Sequence, residues 1–332
     1  MRLTRLTLPG LFDLQANGFG GIDFNGRDLS ADRVAEALDR MRRTGVTRCL
    51  PTLITSSFDR FAANARIIAG LSHDAVVGIH MEGPYVSPAE GARGAHPLEH
   101  VAPATVDDFE RRQDAAIGRI VLVTLAPEVD GALPLIEHLV ARGVRVAIGH
   151  TAATPAQLGD AIAAGATMAT HLGNGCPQML PRHPNVIWEL LAADGVFASV
   201  IADGHHLPAS TLKGMIRAKT AERTILVTDA MAAAGCSANA STNRRFTIGD
   251  VVCELGFDGR VSLPGTPYLA GSSLTLDRAI ANTVRFTGLS IESAVAMAST
   301  IPASCLGMKP AGTIAAEWDA DAFDLRICSV AS

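Results

Sequence analysis

Side chains able to bind a metal or carry a proton stand where apolar segments of this sequence end. Glu82 ends VVGIHME, His150 ends VRVAIGH and His171 ends ATMATH. Two neutral imidazoles and a carboxylate, with one position left open, are a ligand set typical of catalytic zinc, and iron is an alternative. Each histidine alone could be a hydrogen-bonded core residue. Together with Glu82 they predict a site for a divalent metal.

Two further residues could handle protons beside such a metal. Asp229 lies in LVTDAMAAAG, where a buried strand leads into a loop of small residues. A carboxylate there can take a proton from the attacking water and deliver it to a leaving amine; loop capping is its alternative role. His96, in the glycine-rich segment GARGAHP, could donate to a carbonyl oxygen as negative charge builds. The alternative for His96 is a plain surface histidine.

Short apolar, β-rich runs alternate with amphipathic helical stretches and so place these residues. The helices include 31–43, with Ser30 as cap and Gly45 at its end, and 155–164, with Thr154 as cap. Eight parallel strands alternating with helices predict a (β/α)8 TIM-type barrel, whose strand ends converge on one mouth. The candidate strands are 11–17, 46–54, 76–82, 119–126, 144–150, 166–171, 196–202 and 224–229.

The segment after the eighth strand has a different pattern. Residues 245–263 alternate apolar and polar around Asp258-Gly259, a pair typical of a hairpin turn. Helical stretches follow near 272–286 and 290–299. We expect one domain over 1–332, with its core barrel at about 11–308, a hairpin insertion at about 243–265 and a short tail, 309–332, that could add a strand or two.

Composition limits the function classes. Of 332 residues, 48% are hydrophobic, 18% charged and 5% aromatic, which suits small-residue helices packed on a buried parallel sheet. The net charge of -5 gives no reason to expect nucleic acid or an anionic membrane as partner. The six cysteines are scattered, and neither a signal peptide nor a membrane span is visible. We expect a cytoplasmic protein with reduced thiols.

The chain resembles the N-acetylglucosamine-6-phosphate deacetylases of the amidohydrolase superfamily over nearly its whole length. The motifs that carry the resemblance are HMEGPY (80–85), GHTAAT (149–154), ATHLGN (169–174), IADGHH (201–206), LVTDAMAAAG (226–235) and LAGSSLTL (269–276). By resemblance Glu82, His150 and His171 are metal ligands, Asp229 is the catalytic acid/base, and His96 polarises the acetyl carbonyl. The implied substrate contacts are Asn174, Gly175, His206, Arg182, His183, Gln15, Asn17 and Leu269.

The resemblance also bears on the metal. Gln15 and Asn17 occupy the place of the superfamily's first-strand HxH pair. Because amides are poorer metal ligands than imidazole, we expect one divalent metal per subunit rather than two. Zinc is the first choice, with iron, cobalt or manganese as alternatives.

The sequence departs from the family in its N-terminal segment and in the loop after the metal histidine, where Asn174-Gly175-Cys176-Pro177 replaces an N-A-M-P-like sequence. The family carries a small β-sandwich, but the first strand predicted here begins after about ten residues, so we expect that sandwich to be absent or vestigial. Arg182 falls near the family's phosphate-binding arginine, and its guanidinium could grip phosphate bidentately. Arg182 and His183 could equally anchor a loop. The family's phosphate subsite often uses residues of a second subunit, which predicts a homodimer.

The function implied is hydrolysis of the acetamide of an N-acetyl amino sugar, foremost N-acetylglucosamine 6-phosphate. An unphosphorylated N-acetyl sugar, an N-acyl amino acid or a cyclic amide is the alternative substrate. A barrel that binds a sugar phosphate without catalysis is a third hypothesis. Retention of Glu82, His150, His171 and Asp229 speaks against it, since binding alone would not require all four.

Overall fold

The protein is described here by a computed structural model that covers residues 3–236 and 244–331. The strands in these ranges are β1 (Leu3–Pro9), β2 (Leu11–Ala16), β3 (Gly18–Phe19), β4 (Ile22–Asp23), β5 (Val46–Ile54), β6 (Ile79–Glu82), β7 (Ile120–Leu125), β8 (Arg145–Ile148), β9 (Met168–Ala169), β10 (Phe197–Ile201), β11 (Thr224–Val227), β12 (Arg245–Ile248), β13 (Val251–Leu255), β14 (Val261–Ser262), β15 (Thr313–Asp319) and β16 (Asp324–Ala331). The helices are α1 (Ala31–Arg42), α2 (Phe58–Ala69), α3 (Val106–Ala115), α4 (Ala132–Ala141), α5 (Pro155–Ala163), α6 (Val186–Ala192), α7 (Ala209–Lys219), α8 (Leu276–Thr287), α9 (Ile291–Met297) and α10 (Thr300–Cys305).

Eight parallel strands form the central sheet, in the order β11-β10-β9-β8-β7-β6-β5-β2. Its two edges meet, because Ala16 and Ala230 form a parallel bridge and the Asp229 amide donates to Gln15 O across 3.0 Å. Every residue of β2 is buried, as expected of a strand covered on both faces. The predicted (β/α)8 barrel is confirmed. The strands are shorter than predicted at several ends, most of all β9, where 166–171 was expected.

The helix starts follow the predicted caps. The Ser30 hydroxyl accepts from the Arg33 amide at the start of α1, and Thr154 forms a reciprocal capping box with Gln157 at the start of α5. Gly45 has φ of 91° and lies in the turn just after α1. These contacts fix where each helix begins and therefore where the preceding strand–helix loop lies.

The predicted hairpin insertion is a three-stranded antiparallel sheet, β12-β13-β14. Asp258-Gly259 lies between β13 and β14, whereas β12 pairs directly with β13 through a turn at 249–250 that was not predicted. A small second core joins this sheet to the barrel mouth; it includes Ile54, Met231, Ile248, Leu255, Val261 and Ala270. The predicted first residue of the insertion, 243, and the last residue of the predicted tail, 332, lie outside the described residues.

Both ends of the chain meet in one sheet. β1 pairs antiparallel with β15, with Leu3 opposite Asp319, and β15 pairs with β16. The two tail strands were foreseen, but the strand over Leu3–Pro9 was not. The two chain ends thus form one three-stranded sheet, β1-β15-β16, where the prediction was an absent or vestigial β-sandwich. In the described ranges, the length and apolarity needed for a membrane-crossing helix are not met.

Candidate active site

The three predicted ligands meet at the barrel mouth. Glu82 ends β6, His150 follows β8 and His171 follows β9. Glu82 Oε1 lies 3.2 Å from His150 Nε2 and 3.1 Å from His171 Nε2, and the two Nε2 atoms are 3.1 Å apart. All three residues are buried. Burial would raise the pKa of Glu82, but the close contacts of its carboxylate with His150 and His171 hold that pKa well below its usual range.

This set of donors fits a divalent cation. One ligand atom from each of Glu82, His150 and His171 lies within 4.8 Å of the others. Ligand atoms of a tetrahedral zinc site with bonds of about 2 Å stand roughly 3.3 Å apart, close to the separations found here. His150 Nδ1 lies 3.0 Å from Ala92 O, to which only a protonated nitrogen can donate. The neutral His150 ring therefore has an unprotonated Nε2, which is the form that binds metal.

Three of the site residues have a left-handed backbone conformation. His150, His171 and Asp229 have φ of 49°, 30° and 50°, in the left-handed region that costs a residue other than glycine roughly 1–2 kcal/mol. Backbone hydrogen bonds from neighbouring loops hold them, including one from Ser272 N to Asp229 O of 2.8 Å. Left-handed residues of this kind cluster at functional sites.

Glycine is required where a covering loop passes over the histidines. Gly175 has φ of 58°. A Cβ on it would lie 3.0 Å from His150 Nδ1 and 3.2 Å from His171 Cε1. A side chain at 175 would therefore be strained and would crowd both rings, so Gly175 lets the loop backbone approach the site.

Asp229 lies beside the three ligands, held by two side-chain amides, Gln15 in the first barrel strand and Asn17 just after it. Gln15 Nε2 donates to Asp229 Oδ1 across 3.1 Å and Asn17 Nδ2 donates to the same atom across 2.7 Å. Gln15 Nε2 also lies 2.9 Å from Glu82 Oε1. Burial raises the pKa of Asp229 to about 6, and the negative charge of Glu82 adds to the effect. Its carboxylate is thus a stronger base than an exposed aspartate.

His96 reaches the site from the loop after β6. Its Nε2 lies 3.1 Å from His150 Nε2, and its Nδ1 lies 2.7 Å from the Thr55 hydroxyl. His96 is buried, so the surface-histidine alternative is wrong. Burial, followed by the nearby His150, lowers the pKa of His96 well below its usual value. A neutral His96 beside the three ligands can donate one hydrogen bond.

A cavity of about 410 Å³ opens above these groups. Its lining includes most of the predicted substrate contacts, namely Asn17, Asn174, Gly175, His206 and Leu269. The Asp203 carboxylate fixes the His206 ring through a 2.7 Å bond between Oδ2 and Nδ1. Burial would raise the pKa of Asp203, but the His206 contacts lower it overall. His206 is therefore oriented by an ionised partner.

Three of the predicted substrate contacts are absent from the cavity lining. Arg182 and His183 are exposed on the loop between β9 and α6. Gln15 is buried beneath the site, where its amide nitrogen is used by two carboxylates. No Lys or Arg is found among the described residues that line the cavity. Among residues 3–236 and 244–331 of one copy, the positive charge expected for a phosphate is thus not at the cavity wall.

Two supporting residues were missed. Thr55, which contacts His96, comes directly after β5. Asp13 in β2 accepts from the Thr228 hydroxyl across 2.5 Å, next to Asp229, and burial raises its pKa to about 7. The sequence signal for Thr55 is the same as for the other site residues, a polar side chain at the end of a barrel strand. Asp13 lies inside an apolar strand, where one buried carboxylate gives little indication of its role.

Comparisons with known proteins identify relatives of this chain. Residues 6–325 match the model of the amidohydrolase family. The chain is 35% identical to human N-acetylglucosamine-6-phosphate deacetylase over 96% of its own length and 78% of that protein's. It is 34% identical to N-acetylgalactosamine-6-phosphate deacetylase of Escherichia coli O157:H7, covering 92% of this chain and 80% of that one.

A solved structure extends the likeness to the fold. It is a mutant of Mycobacterium smegmatis N-acetyl-D-glucosamine-6-phosphate deacetylase in complex with N-acetyl-D-glucosamine-6-phosphate. The TM-score is 0.88 at 30% sequence identity, and the match covers 98% of this chain and 86% of that chain.

Proposed function

This chain belongs to the amidohydrolase family and, within it, to the N-acetylglucosamine-6-phosphate deacetylases, and from that premise we propose that it hydrolyses the acetamide of N-acetylglucosamine 6-phosphate to glucosamine 6-phosphate and acetate. It is a hydrolase of carbon–nitrogen bonds other than peptide bonds. One observation carries the assignment: a metal-ligand set of Glu82, His150 and His171 shares a cavity with the base Asp229 and the donor His96.

The metal proposed is a single divalent ion, zinc in the first place and iron, cobalt or manganese otherwise, held by Glu82, His150 and His171. When bound, it lowers the pKa of water and polarises the carbonyl of the substrate. Gln15 supports the count of one, because its amide nitrogen already bonds the carboxylates of Glu82 and Asp229. An amide engaged in this way is a poor ligand for a second ion.

The side chains of the site have separate tasks in the reaction. Asp229 takes the proton of the attacking water and passes it to the departing amine nitrogen. His96 donates to the carbonyl oxygen, where negative charge grows as the carbonyl carbon is attacked. Asn17 keeps the Asp229 carboxylate oriented between these events through its 2.7 Å hydrogen bond.

The sugar is proposed to lie between His206, Asn174, Gly175 and Leu269, which line the cavity. Since that lining holds no Lys or Arg among the described residues, the phosphate requires a cation from elsewhere. The exposed Arg182, with His183 beside it, can serve a second copy of the chain. We therefore include a homodimer in the proposal, with each copy completing the phosphate subsite of the other.

Acetate release tests the proposal. The substrates are N-acetylglucosamine 6-phosphate, N-acetylgalactosamine 6-phosphate and unphosphorylated N-acetylglucosamine. The galactosamine epimer is included because a relative of nearly equal identity is named as its deacetylase. An N-acyl amino acid and a cyclic amide complete the panel. We expect the highest kcat/KM with N-acetylglucosamine 6-phosphate. Preference for an unphosphorylated substrate would contradict the assignment, and sugar binding without acetate release by metal-loaded protein would favour the non-catalytic alternative.

A further inference from the structure

The hydroxyl of Thr55 holds the inner nitrogen of His96. Thr55 follows the second barrel strand and is 1% exposed; His96 is 4% exposed. The 2.7 Å contact between Thr55 Oγ1 and His96 Nδ1 is enclosed by protein. Gly83 leaves room for it, since a Cβ at that position would lie 2.1 Å from Thr55 Oγ1. The loop that follows Glu82 is thus shaped around the hydroxyl of Thr55.

Counting donors decides the direction of this hydrogen bond. A threonine hydroxyl has one proton to donate and two lone pairs to accept with. Among the described residues, His96 Nδ1 is the hydrogen-bond partner found for the Thr55 hydroxyl. If the hydroxyl accepted from Nδ1–H, its own proton would be buried without an acceptor, which costs about 1–3 kcal/mol. If the Thr55 hydroxyl donates to His96 Nδ1, its proton has an acceptor.

The opposite side of the His96 ring faces the three ligands, with His96 Nε2 3.1 Å from His150 Nε2. When His96 Nδ1 accepts the Thr55 proton, the proton of a neutral His96 ring is on Nε2. That proton then points toward the site.

We propose that Thr55 is a positioning residue that fixes His96 as the Nε2–H tautomer by donating a hydrogen bond to His96 Nδ1. The proposal depends on the proposed function only for what the Nε2–H group acts on, the carbonyl oxygen of the amide. The other tautomer would present a lone pair to that oxygen and would repel the charge that His96 is needed to stabilise.

The tautomer can be measured in the wild-type protein without substrate. In ¹⁵N-histidine-labelled, zinc-loaded protein, we expect His96 Nδ1 to give a ¹⁵N shift of the unprotonated type and Nε2 one of the protonated type. The His96 signals are assigned by their loss in His96→Gln. A protonated Nδ1 in the wild-type protein would overturn the proposal. If the protein proved unable to hydrolyse any N-acetyl hexosamine phosphate, the proposed function would fail while this measurement stayed decisive for the tautomer.

Variants of Thr55 provide the second test. Thr55→Val keeps the shape and removes the hydroxyl, and we expect kcat/KM to fall roughly 10- to 100-fold, less than loss of the donor itself. Thr55→Ser restores the hydroxyl and should stay within about threefold of wild type, on the same principle. Thr283→Val is the matched control, because Thr283 is a buried threonine that bonds Ala279 O inside α8.

A double variant separates positioning from a packing defect. In a His96→Gln background, adding Thr55→Val should cost nothing further, because both changes remove the same hydrogen bond to the carbonyl. Zinc content and melting temperature are measured alongside. Full additivity of the two losses, or a Thr55→Val enzyme with wild-type kcat/KM, would overturn the proposal. If Thr55→Val failed to fold, the wild-type tautomer and the Thr55→Ser variant would still decide it.

Discussion

Asn17 holds Asp229 with one end of its amide only. Asn17 Nδ2 donates to Asp229 Oδ1 across 2.7 Å, while the buried Asn17 Oδ1 has no partner among the described residues. A hydrogen bond donated to a carboxylate stabilises its ionised form, which is the form that can act as a base. Asn17 is therefore expected to adjust the basicity of Asp229 as well as its orientation.

The pH dependence of the enzyme should report this relationship. Burial raises the pKa of Asp229 from 3.8 to about 6, so its carboxylate is ionised above that pH and protonated below it. A bound cation favours the ionised form further. We expect kcat/KM to be level at neutral pH and to fall tenfold per pH unit on an acid limb at or below about pH 6.

Asn17→Ala tests the cause of that limb. Removing the amide removes a hydrogen bond to the ionised carboxylate, so the pKa of Asp229 rises and the limb moves to higher pH. The measurement is the pH profile of kcat/KM for the variant and the wild type at equal zinc content. An acid limb that stayed in place, or moved to lower pH, would contradict the assignment of that limb to Asp229.

Metal content should follow the three ligands. We expect one divalent ion per chain in the wild type, and loss of most of it in Glu82→Ala, His150→Ala and His171→Ala after gel filtration. The control is His138→Ala, since His138 pairs with Glu110 on the outer helices. Elemental analysis provides the number, and two ions per wild-type chain would show that Gln15 and Asn17 do not limit the site to one.

Arg182 should matter for the phosphate alone. With Arg182→Ala we expect KM for N-acetylglucosamine 6-phosphate to rise roughly tenfold or more, since a hydrogen bond between charged groups is lost. Values for unphosphorylated N-acetylglucosamine should not change. Arg142→Ala, at the outer end of α4, is the control. An equal effect on both substrates would assign Arg182 to the loop rather than to the phosphate.

Mixed dimers show whether Arg182 contributes to the active site of its own chain or to that of the partner chain. Arg182→Ala chains are mixed with Asp229→Asn chains so that heterodimers form. If Arg182 serves the partner, one site in each heterodimer has both intact residues, and turnover with wild-type KM returns. If Arg182 serves its own chain, neither site is complete and no such recovery follows.

Much of the fold was predictable from local patterns. β5 has the predicted bounds, because its nine residues are rich in β-branched and aliphatic side chains and all but Arg48 are buried. The strand over Leu3–Pro9 was missed, because its partner β15 lies some 300 residues away and a partner at that distance leaves no local pattern. The turn between β12 and β13 was missed for another reason. Asp258-Gly259 is the stronger turn signal, and the predicted hairpin was centred on it.

The site was predictable in its members more than in its contacts. Residue type and strand-end position brought out Glu82, His150, His171 and Asp229, because a barrel sends those ends to one mouth. The exposure of Arg182 depends on the path of a long loop, and the left-handed backbone of Asp229 depends on bonds from distant segments. Neither is encoded in local spacing.

Acetate release by an Asp229→Asn enzyme that carries its full metal complement tests the central claim most directly. Asparagine keeps the shape of the side chain and cannot accept the proton, so we predict one ion per chain and a kcat for N-acetylglucosamine 6-phosphate reduced roughly 10²- to 10⁴-fold. Asp324→Asn, in β16 and outside the cavity lining, should keep wild-type kcat. Wild-type turnover by metal-loaded Asp229→Asn would contradict the account.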